Sequence, residues 1–226
     1  MLFRSLRGRH VLVTAGPTYE DIDPVRYVGN RSSGRMGFAL AAEARRRGAR
    51  VTLVAGPTPV EPPSVDELVR IRSAAEMHAA VTTAAPAADV VIMAAAVADY
   101  TPSDPAAAKM AKAEGSLTLR LQRTPDIPAE LGRGQAGRGG RRPVLVGFAA
   151  ETGDATAKGR EKLVRKGVDL IVANDVSQPG VGFQHDTNAV TIVRRHGEPI
   201  NVGLTDKREI AAAVLDAAVA LLAPNR

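Results

Sequence analysis

The chain has 226 residues, a length for one large domain or two small ones, and 45% hydrophobic residues, enough to bury a core. Aromatics amount to only 3%, so Ala, Val and Leu must build that core, and a single-stranded nucleic-acid platform of stacked rings is disfavoured. The absence of cysteine excludes disulfides, a thiolate nucleophile and Cys-based zinc or iron–sulfur sites, while a net charge of +6 suits a phosphorylated small molecule as well as a nucleic acid.

Residues 1–10 (MLFRSLRGRH) are basic but lack the apolar core of a signal peptide. The longest apolar runs, such as VVIMAAAVA at 90–98, fall far short of the roughly 20 residues of a membrane span. A cytoplasmic protein without membrane or nucleic-acid partners is expected. Strand-like and helix-like stretches then alternate. HVLVTA (10–15), VTLVA (51–55), LVRI (68–71), DVVIMAA (89–95), PVLVGFAA (143–150) and VDLIVAN (168–174) are apolar at nearly every position, which marks strands buried on both faces of a parallel sheet. Between the first two, Met36, Leu40 and Ala44 recur at helical spacing and three arginines precede Gly48, so 33–48 reads as a helix. Crossover helices are predicted over Ala74–Ala85 and Thr156–Lys166, and a C-terminal helix over Thr205–Leu222 with Thr205 as N-cap. NAVTIVRRHGEPINV (188–202) reads as an antiparallel hairpin turning near His196–Gly197. The predicted fold is α/β: a doubly wound, Rossmann-like, mostly parallel sheet with an antiparallel edge hairpin and a lid/arm insertion, all in one domain spanning 1–226.

The insertion runs from Asp99 to Arg142, and its one strand-like stretch is LTLRLQ (117–122). We expect a lid at about 101–115, an arm at about 116–122 and a flexible turn at 132–142. With Pro102, Pro105 and Gly115 as breakers and few large apolar side chains, the lid offers nothing for the body to hold except through a ligand. The turn GRGQAGRGGRR resembles RNA-binding RGG tracts, although a solvated loop is the simpler reading.

In an open parallel sheet ligands gather beyond the carboxyl ends of the strands. After the first strand comes a long loop, 14–37, ending in Ser32-Ser33-Gly34 at a helix start. Free N–H groups, the helix dipole and two hydroxyls there suit phosphate; alternatively Ser32 or Ser33 is only an N-cap and Gly37 only permits close packing. The fourth predicted strand ends in MAAAVADY (93–100), where small residues let a flat base lie against the backbone and Asp99 could accept from a base amino group or help hold a cation. The alanines read equally well as core filler and Asp99 as a turn cap. Lys109 and Lys112, in a Pro- and Ala-rich lid, are solvated charges or phosphate contacts. His10, His78, His185 and His196 show no ligand spacing, so neither zinc nor a histidine nucleophile is expected. The segment after the first strand is not GxGxxG, since Gly34 and Gly37 make only GxxG, nor is it GxxxxGK[ST], and VTLVA is followed by Gly56-Pro57 instead of an acidic residue. That weakens the main rival reading, an NAD(P)-dependent oxidoreductase; a non-catalytic nucleotide- or RNA-binding module is the other.

Together, TAGPTYEDIDPVRYVGNRSSGRMGFALA (14–41), AAVADY (95–100), TPDI (124–127), VGFAAET (146–152), DLIVANDVS (169–177) and GFQHDTNAV (182–190) closely resemble the bacterial phosphopantothenoylcysteine synthetase family. The resemblance, running from about residue 8 to 222, implies a ligase of coenzyme A biosynthesis. Such an enzyme uses CTP and Mg²⁺ to join 4′-phosphopantothenate and L-cysteine through an acyl-cytidylate. It further implies that Met93, Ala94, Ala95 and Asp99 form the nucleotide pocket, with Pro125, Asp126, Ile127, Pro128, Phe148, Lys162 and Lys166 as further nucleotide contacts. Lys109 matches the lid lysine that acts on the phosphates. Asn30 matches the asparagine that handles the acyl group, with Arg26 and the Ser32, Ser33, Gly34 cradle nearby for substrate, and Mg²⁺ held through the triphosphate, with Asp99 as a further ligand. The family lid usually reads KIKK; here it is Lys109-Met110-Ala111-Lys112, so the third position inherits no role. A homodimer through the arm is implied, as is a flavin-dependent decarboxylase, fused or associated. The first strand begins nine residues after Met1, which suits a domain cut from a bifunctional chain as well as a stand-alone synthetase.

Overall fold

Strand β1 (His10–Ala15) is buried along almost its whole length, as a Val/Leu strand covered on both faces must be. The computed structural model describes residues 5–112, 115–135, 142–151, 153–175 and 187–222. Within them β1 is followed by β2 (Tyr19–Asp21), β3 (Tyr27–Gly29), α1 (Arg35–Arg46), β4 (Arg50–Ala55), β5 (Glu67–Arg70), α2 (Ala74–Ala84), β6 (Val90–Met93), β7 (Tyr100–Pro102) and β8 (Leu121–Arg123). Then come α3 (Ile127–Gln135), β9 (Val144–Glu151), α4 (Ala155–Lys166), β10 (Leu170–Asp175), β11 (Thr187–Arg194), β12 (Ile200–Asp206) and α5 (Lys207–Val219).

Eight strands form one sheet in the order β12-β11-β10-β9-β6-β1-β4-β5. The six from β10 to β5 are mutually parallel; β11 and β12 close one edge as the expected antiparallel hairpin. Residues of α1 and α5 build one half of the core and residues of α2, α3 and α4 the other, so the sheet is covered on both faces. The chain winds outward from β1 to β4 and β5, then returns to the other side of β1 to lay down β6, β9 and β10. That reversal opens a crevice between the carboxyl ends of β1 and β6.

At the opposite, amino edge three aspartates repeat one device. Asp66, Asp89 and Asp169 each stand just before a strand and accept a hydrogen bond from a backbone N–H of the adjoining parallel strand: Val51 at 2.9 Å, His10 at 2.8 Å and Leu145 at 2.9 Å. Arg9 donates to Asp89 from its own side at 2.9 Å.

Helix α1 lies tight on β1 because position 37 is glycine. A Cβ there would sit 2.5 Å from Ala15 Cβ and 2.8 Å from the Thr14 carbonyl, so close packing explains Gly37. Arg47, 2% exposed, ties α1 to α5. Its guanidinium donates to Glu43 at 2.7 Å, to Asp216 at 2.5 Å and to the Ala212 carbonyl at 3.1 Å, while Arg46 holds Glu43 from the other side at 2.6 Å.

Several local expectations are corrected. The N-cap of α1 is Gly34, in the left-handed region at φ 76°, where neither Ser32 nor Ser33 could sit without strain; Ser32 Oγ instead accepts from Gly34 N at 3.3 Å. The cap of α5 is Asp206, one residue past Thr205, because β12 runs on through Thr205; Asp206 accepts from the N–H groups of Arg208 and Glu209, and the helix ends at Val219. The loop 14–37 contains the β2–β3 hairpin, whose Tyr19 and Tyr27 rings stack at 3.9 Å.

The insertion differs most. Thr101 and Pro102, expected in the lid, belong to β7, and the arm is not a continuous strand. Only Leu121 and Gln122 of LTLRLQ, with Arg123, form β8, paired antiparallel with β7. The lid is held without a ligand: Ser103 N donates to the Arg120 carbonyl, Ala106 N to the Ile22 carbonyl at 2.9 Å, and Met110 is bound to Asp23 and Arg26. Backbone groups can dock a segment that lacks apolar side chains. Of the turn at 132–142, residues 132–135 are the last turn of α3; 136–141 lie outside the described residues. Helix α3 is capped by Asp126, which accepts from Ala129 N at 3.2 Å, and its Pro128 stands in the first turn, where no N–H is needed.

Candidate active site

The crevice holds a cavity of about 1060 Å³, at the upper end of the size expected for small-molecule sites. Four carboxyl ends of the parallel sheet feed it. The loop after β1 and the start of α1 supply Asn30, Ser32, Ser33, Gly34 and Met36; β6 and the chain beyond supply Met93 to Tyr100. Phe148 to Ala150 come from β9 and Asn174 from β10. Thr124 to Pro128, leading into α3, form a further wall with Lys162 and Lys166 of α4. A shallower depression of about 650 Å³ adjoins at Asn30–Ser33 and runs past Tyr19, Tyr27 and Pro57–Pro59.

The alanine-rich segment after β6 is sewn down by side chains of other loops. Ala95 N donates to Thr14 Oγ1 at 3.1 Å, Ala98 N to Thr18 Oγ1 at 3.0 Å, and Thr124 Oγ1 to the Ala98 carbonyl at 2.6 Å. Asn30 Nδ2 donates to the carbonyls of Val97 and Ala96 at 3.0 and 3.4 Å. Ala94 to Val97 stay half-buried. A fixed backbone with small side chains is a surface on which a planar ring can rest, with peptide groups in reach of its edge.

Positive charge surrounds this floor. Arg31, Arg123, Lys162, Arg165, Lys166 and Lys207 line the cavity against the carboxylates Asp99 and Asp126. Two of the lysines are engaged: Lys162 lies 2.5 Å from Glu151, and Lys166 lies 3.2 Å from Asp126, the cap of α3. Lys207 is nearly buried, donating to the Thr187 carbonyl at 3.3 Å. Six cations around a strand-end crevice form an anion-attracting wall.

All the expected site residues except Arg26 and Lys109 line this cavity. Arg26 lies on the lid side, where its guanidinium binds Asp23 and the Met110 carbonyl, and Lys109 is exposed beside Met110. Arg31, Arg123, Arg165 and Lys207 were missed. Arg31 adjoins the Ser32-Ser33 cradle and could have been read with it, whereas Lys207 sits at a helix start with no local signal. Among the described residues no cluster of three or more His, Cys, Asp or Glu side chains is placed to hold a metal, and no helix is long and apolar enough to cross a membrane.

Comparison with known proteins places this geometry. The Coenzyme A biosynthesis bifunctional protein CoaBC of Bacillus subtilis (strain 168) is 46% identical over 96% of this chain, which covers 52% of that protein. A protein named Cysteine/Cysteine sulfinic acid decarboxylase, from an unknown prokaryotic organism, is 44% identical over 94% of this chain and 58% of its own length. The chain thus spans about half the length of the curated relatives it matches. A crystal structure of the C-terminal domain of Coenzyme A biosynthesis bifunctional protein CoaBC superposes with a TM-score of 0.80 at 38% identity, covering 96% of this chain and 97% of that one. Residues 6–222, nearly the whole of the described fold, match a single family, and the chain belongs to it: the DNA/pantothenate metabolism flavoprotein C-terminal domain.

Proposed function

We propose that this chain is a CTP-dependent ligase of coenzyme A biosynthesis that joins 4′-phosphopantothenate to L-cysteine. The observation that carries the reading is the convergence, in one cation-rimmed cavity, of all six separated sequence stretches that resemble the bacterial synthetases. Relatives bearing the name of coenzyme A biosynthesis support it.

The chemistry suits such a cavity. A carboxylate acylates an amine poorly, so its oxygen first attacks the α-phosphorus of CTP, and pyrophosphate leaves. The cysteine amine then attacks the acyl carbon, loses a proton to solvent and expels CMP. The first step brings an anion up to a triphosphate, and its chief demand is charge neutralisation. Lys162, Lys166 and the lid's Lys109 are suited to that, while the Ala94–Val97 floor takes the base and Asn30 orients the acyl group. Asp99 and Asp126 are too few for a protein-built metal cage; they fit a Mg²⁺ held mainly by phosphate oxygens, where it offsets their charge. Substrate contacts at Ser32, Ser33 and Gly34, a cytoplasmic setting and work alongside a flavin-dependent decarboxylase belong to the same reading. So does a homodimer through the arm, where Leu117, Leu119 and Leu121 are 61, 37 and 41% exposed. Leu119→Lys should then give a monomer in sedimentation.

The deciding measurement is pyrophosphate release that requires CTP and phosphopantothenate together. The decarboxylase name of one relative makes release of CO₂ from cysteine without nucleotide the competing outcome. Stabilisation by NADPH or RNA instead of CTP in a thermal-shift series would favour the oxidoreductase or binding-module readings.

A further inference from the structure

The side chain of Asp23 has no solvent exposure, yet it lines neither cavity. It stands in the turn between β2 and β3, and its two oxygens have separate duties. Oδ1 accepts from the backbone N–H groups of Val25 and Arg26, each at 2.9 Å, and shapes the turn. Oδ2 accepts from Arg26 Nε at 3.0 Å, from Arg26 Nη2 at 2.5 Å and from the backbone N–H of Met110, in the lid, at 3.2 Å. Arg26 Nη2 also donates to the Met110 carbonyl at 3.0 Å. Met110 is therefore gripped at both of its backbone polar groups, one by the carboxylate and one by the guanidinium that the carboxylate holds. Lys109 is the adjacent residue.

A turn of this kind needs one acceptor, which Oδ1 supplies. Burying a full negative charge is costly unless every lone pair is answered, so the second oxygen calls for a purpose beyond the turn. The Arg26 guanidinium holds the Asp23 carboxyl far below the usual carboxylate range against the opposing effect of burial, with the N–H groups of Val25, Arg26 and Met110 assisting. It is thus ionised throughout the neutral range.

We infer that Asp23 is a positioning residue for the lid: it anchors Met110 directly and through Arg26, and so sets the place from which Lys109 reaches the nucleotide phosphates. The inference rests on the ligase reading for the role of Lys109; the anchoring itself does not. Displacing a charged group by an ångström at a reacting phosphate can lower a rate about 100-fold while leaving ground-state binding alone.

Asp23→Asn separates the two duties, because the amide oxygen still accepts from Val25 and Arg26 N–H whereas the amide nitrogen cannot accept from Arg26 or Met110. Met110→Pro removes the lid's own donor and leaves the hairpin untouched. In the free protein both variants should be cleaved by trypsin after Lys112 about tenfold faster than the wild type, at an unchanged melting temperature. In single turnover Asp23→Asn should release pyrophosphate about 10- to 100-fold more slowly, with the CTP dissociation constant altered less than twofold. Cleavage of both variants at the wild-type rate overturns the anchoring. Faster cleavage with a wild-type rate of pyrophosphate release overturns the positioning of Lys109. A wild-type protein that releases no pyrophosphate refutes the ligase reading instead, and the trypsin comparison then decides the anchoring by itself.

Discussion

Lys162 and Glu151 meet at the cavity rim with Nζ 2.5 Å from Oε1, so a lysine expected to meet the nucleotide is already paired. The contact is electrostatic rather than a well-aligned hydrogen bond, for the buried Oε1 has no donor in good geometry, and Lys158 stands farther off at 4.0 Å. On the ligase reading an incoming triphosphate would compete with Glu151 for the same cation.

Glu151→Gln should accordingly tighten CTP binding. Removing one anion near a partly screened cation is worth about 1 kcal/mol, or about a fivefold lower dissociation constant. Calorimetric titration measures it. An unchanged or weaker affinity would show that Lys162 does not exchange partners.

Asn30 offers a different test, because its amide donates to two carbonyls of the alanine floor. Asn30→Asp sets an anion against those oxygens and, on the ligase reading, beside a carbonyl that would become an oxyanion, which would oppose the second chemical step. The variant should release one pyrophosphate per site and accumulate phosphopantothenoyl-CMP by mass spectrometry, with turnover lowered about 100-fold. Lys109→Gln should show little of either product. Arrest of both variants at one stage would refute this division of labour.

The Glu43–Arg47–Asp216 tie between α1 and α5 predicts a pH-dependent stability. Burial pushes the Glu43 carboxyl upward, but hydrogen bonds and charge from Arg46 and Arg47 outweigh it and leave the group below its usual value. A carboxyl depressed in the folded state stabilises above its unfolded pKa of about 4.3, and loses that contribution as the pH falls through the lower folded value. Glu43→Gln should lower the melting temperature at pH 7 by about 2–8 °C, from about 1–2 kcal/mol after allowance for the water around Arg46. The gap from wild type should shrink below about pH 4. A gap that stays constant down to pH 3 would mean that the charge of Glu43 is irrelevant.

Gly37→Ala tests the α1–β1 contact. The new methyl would meet backbone and a buried Cβ that cannot swing aside, an overpacking of about 2 kcal/mol that should lower the melting point by roughly 4–8 °C. A variant as stable as wild type would mean that α1 can lift off β1 freely.

What the sequence made legible follows the reach of its signals. The buried parallel strands and α1 announce themselves because every residue in 10–15 or every fourth in 36–44 faces one environment. The cavity floor was legible because strand ends are where such sheets bind. The insertion was not: α3 hides behind Pro128, Gly132 and Gly134, and its cap, Asp126, reads equally well as a ligand contact. Residues 117–122 alternate like a strand, yet only Leu121 and Gln122 of that stretch find a partner strand. Nor does any local pattern join Asp23 to Met110, since backbone docking across 87 positions leaves no periodicity.

The aspartates at 66, 89 and 169 clasp neighbouring strands at the edge farthest from the cavity. A strand slipping by one residue would turn its whole pattern inside out and forfeit a clasp as well, so alignment is secured where no substrate comes. The opposite rim is thereby excused from holding the sheet in line. It can spend its backbone on wandering loops and glycines, which is where a binding chamber needs them. Damage at the two rims should look different in the test tube: at the clasps, fewer working molecules; around the chamber, a full complement of molecules that work badly.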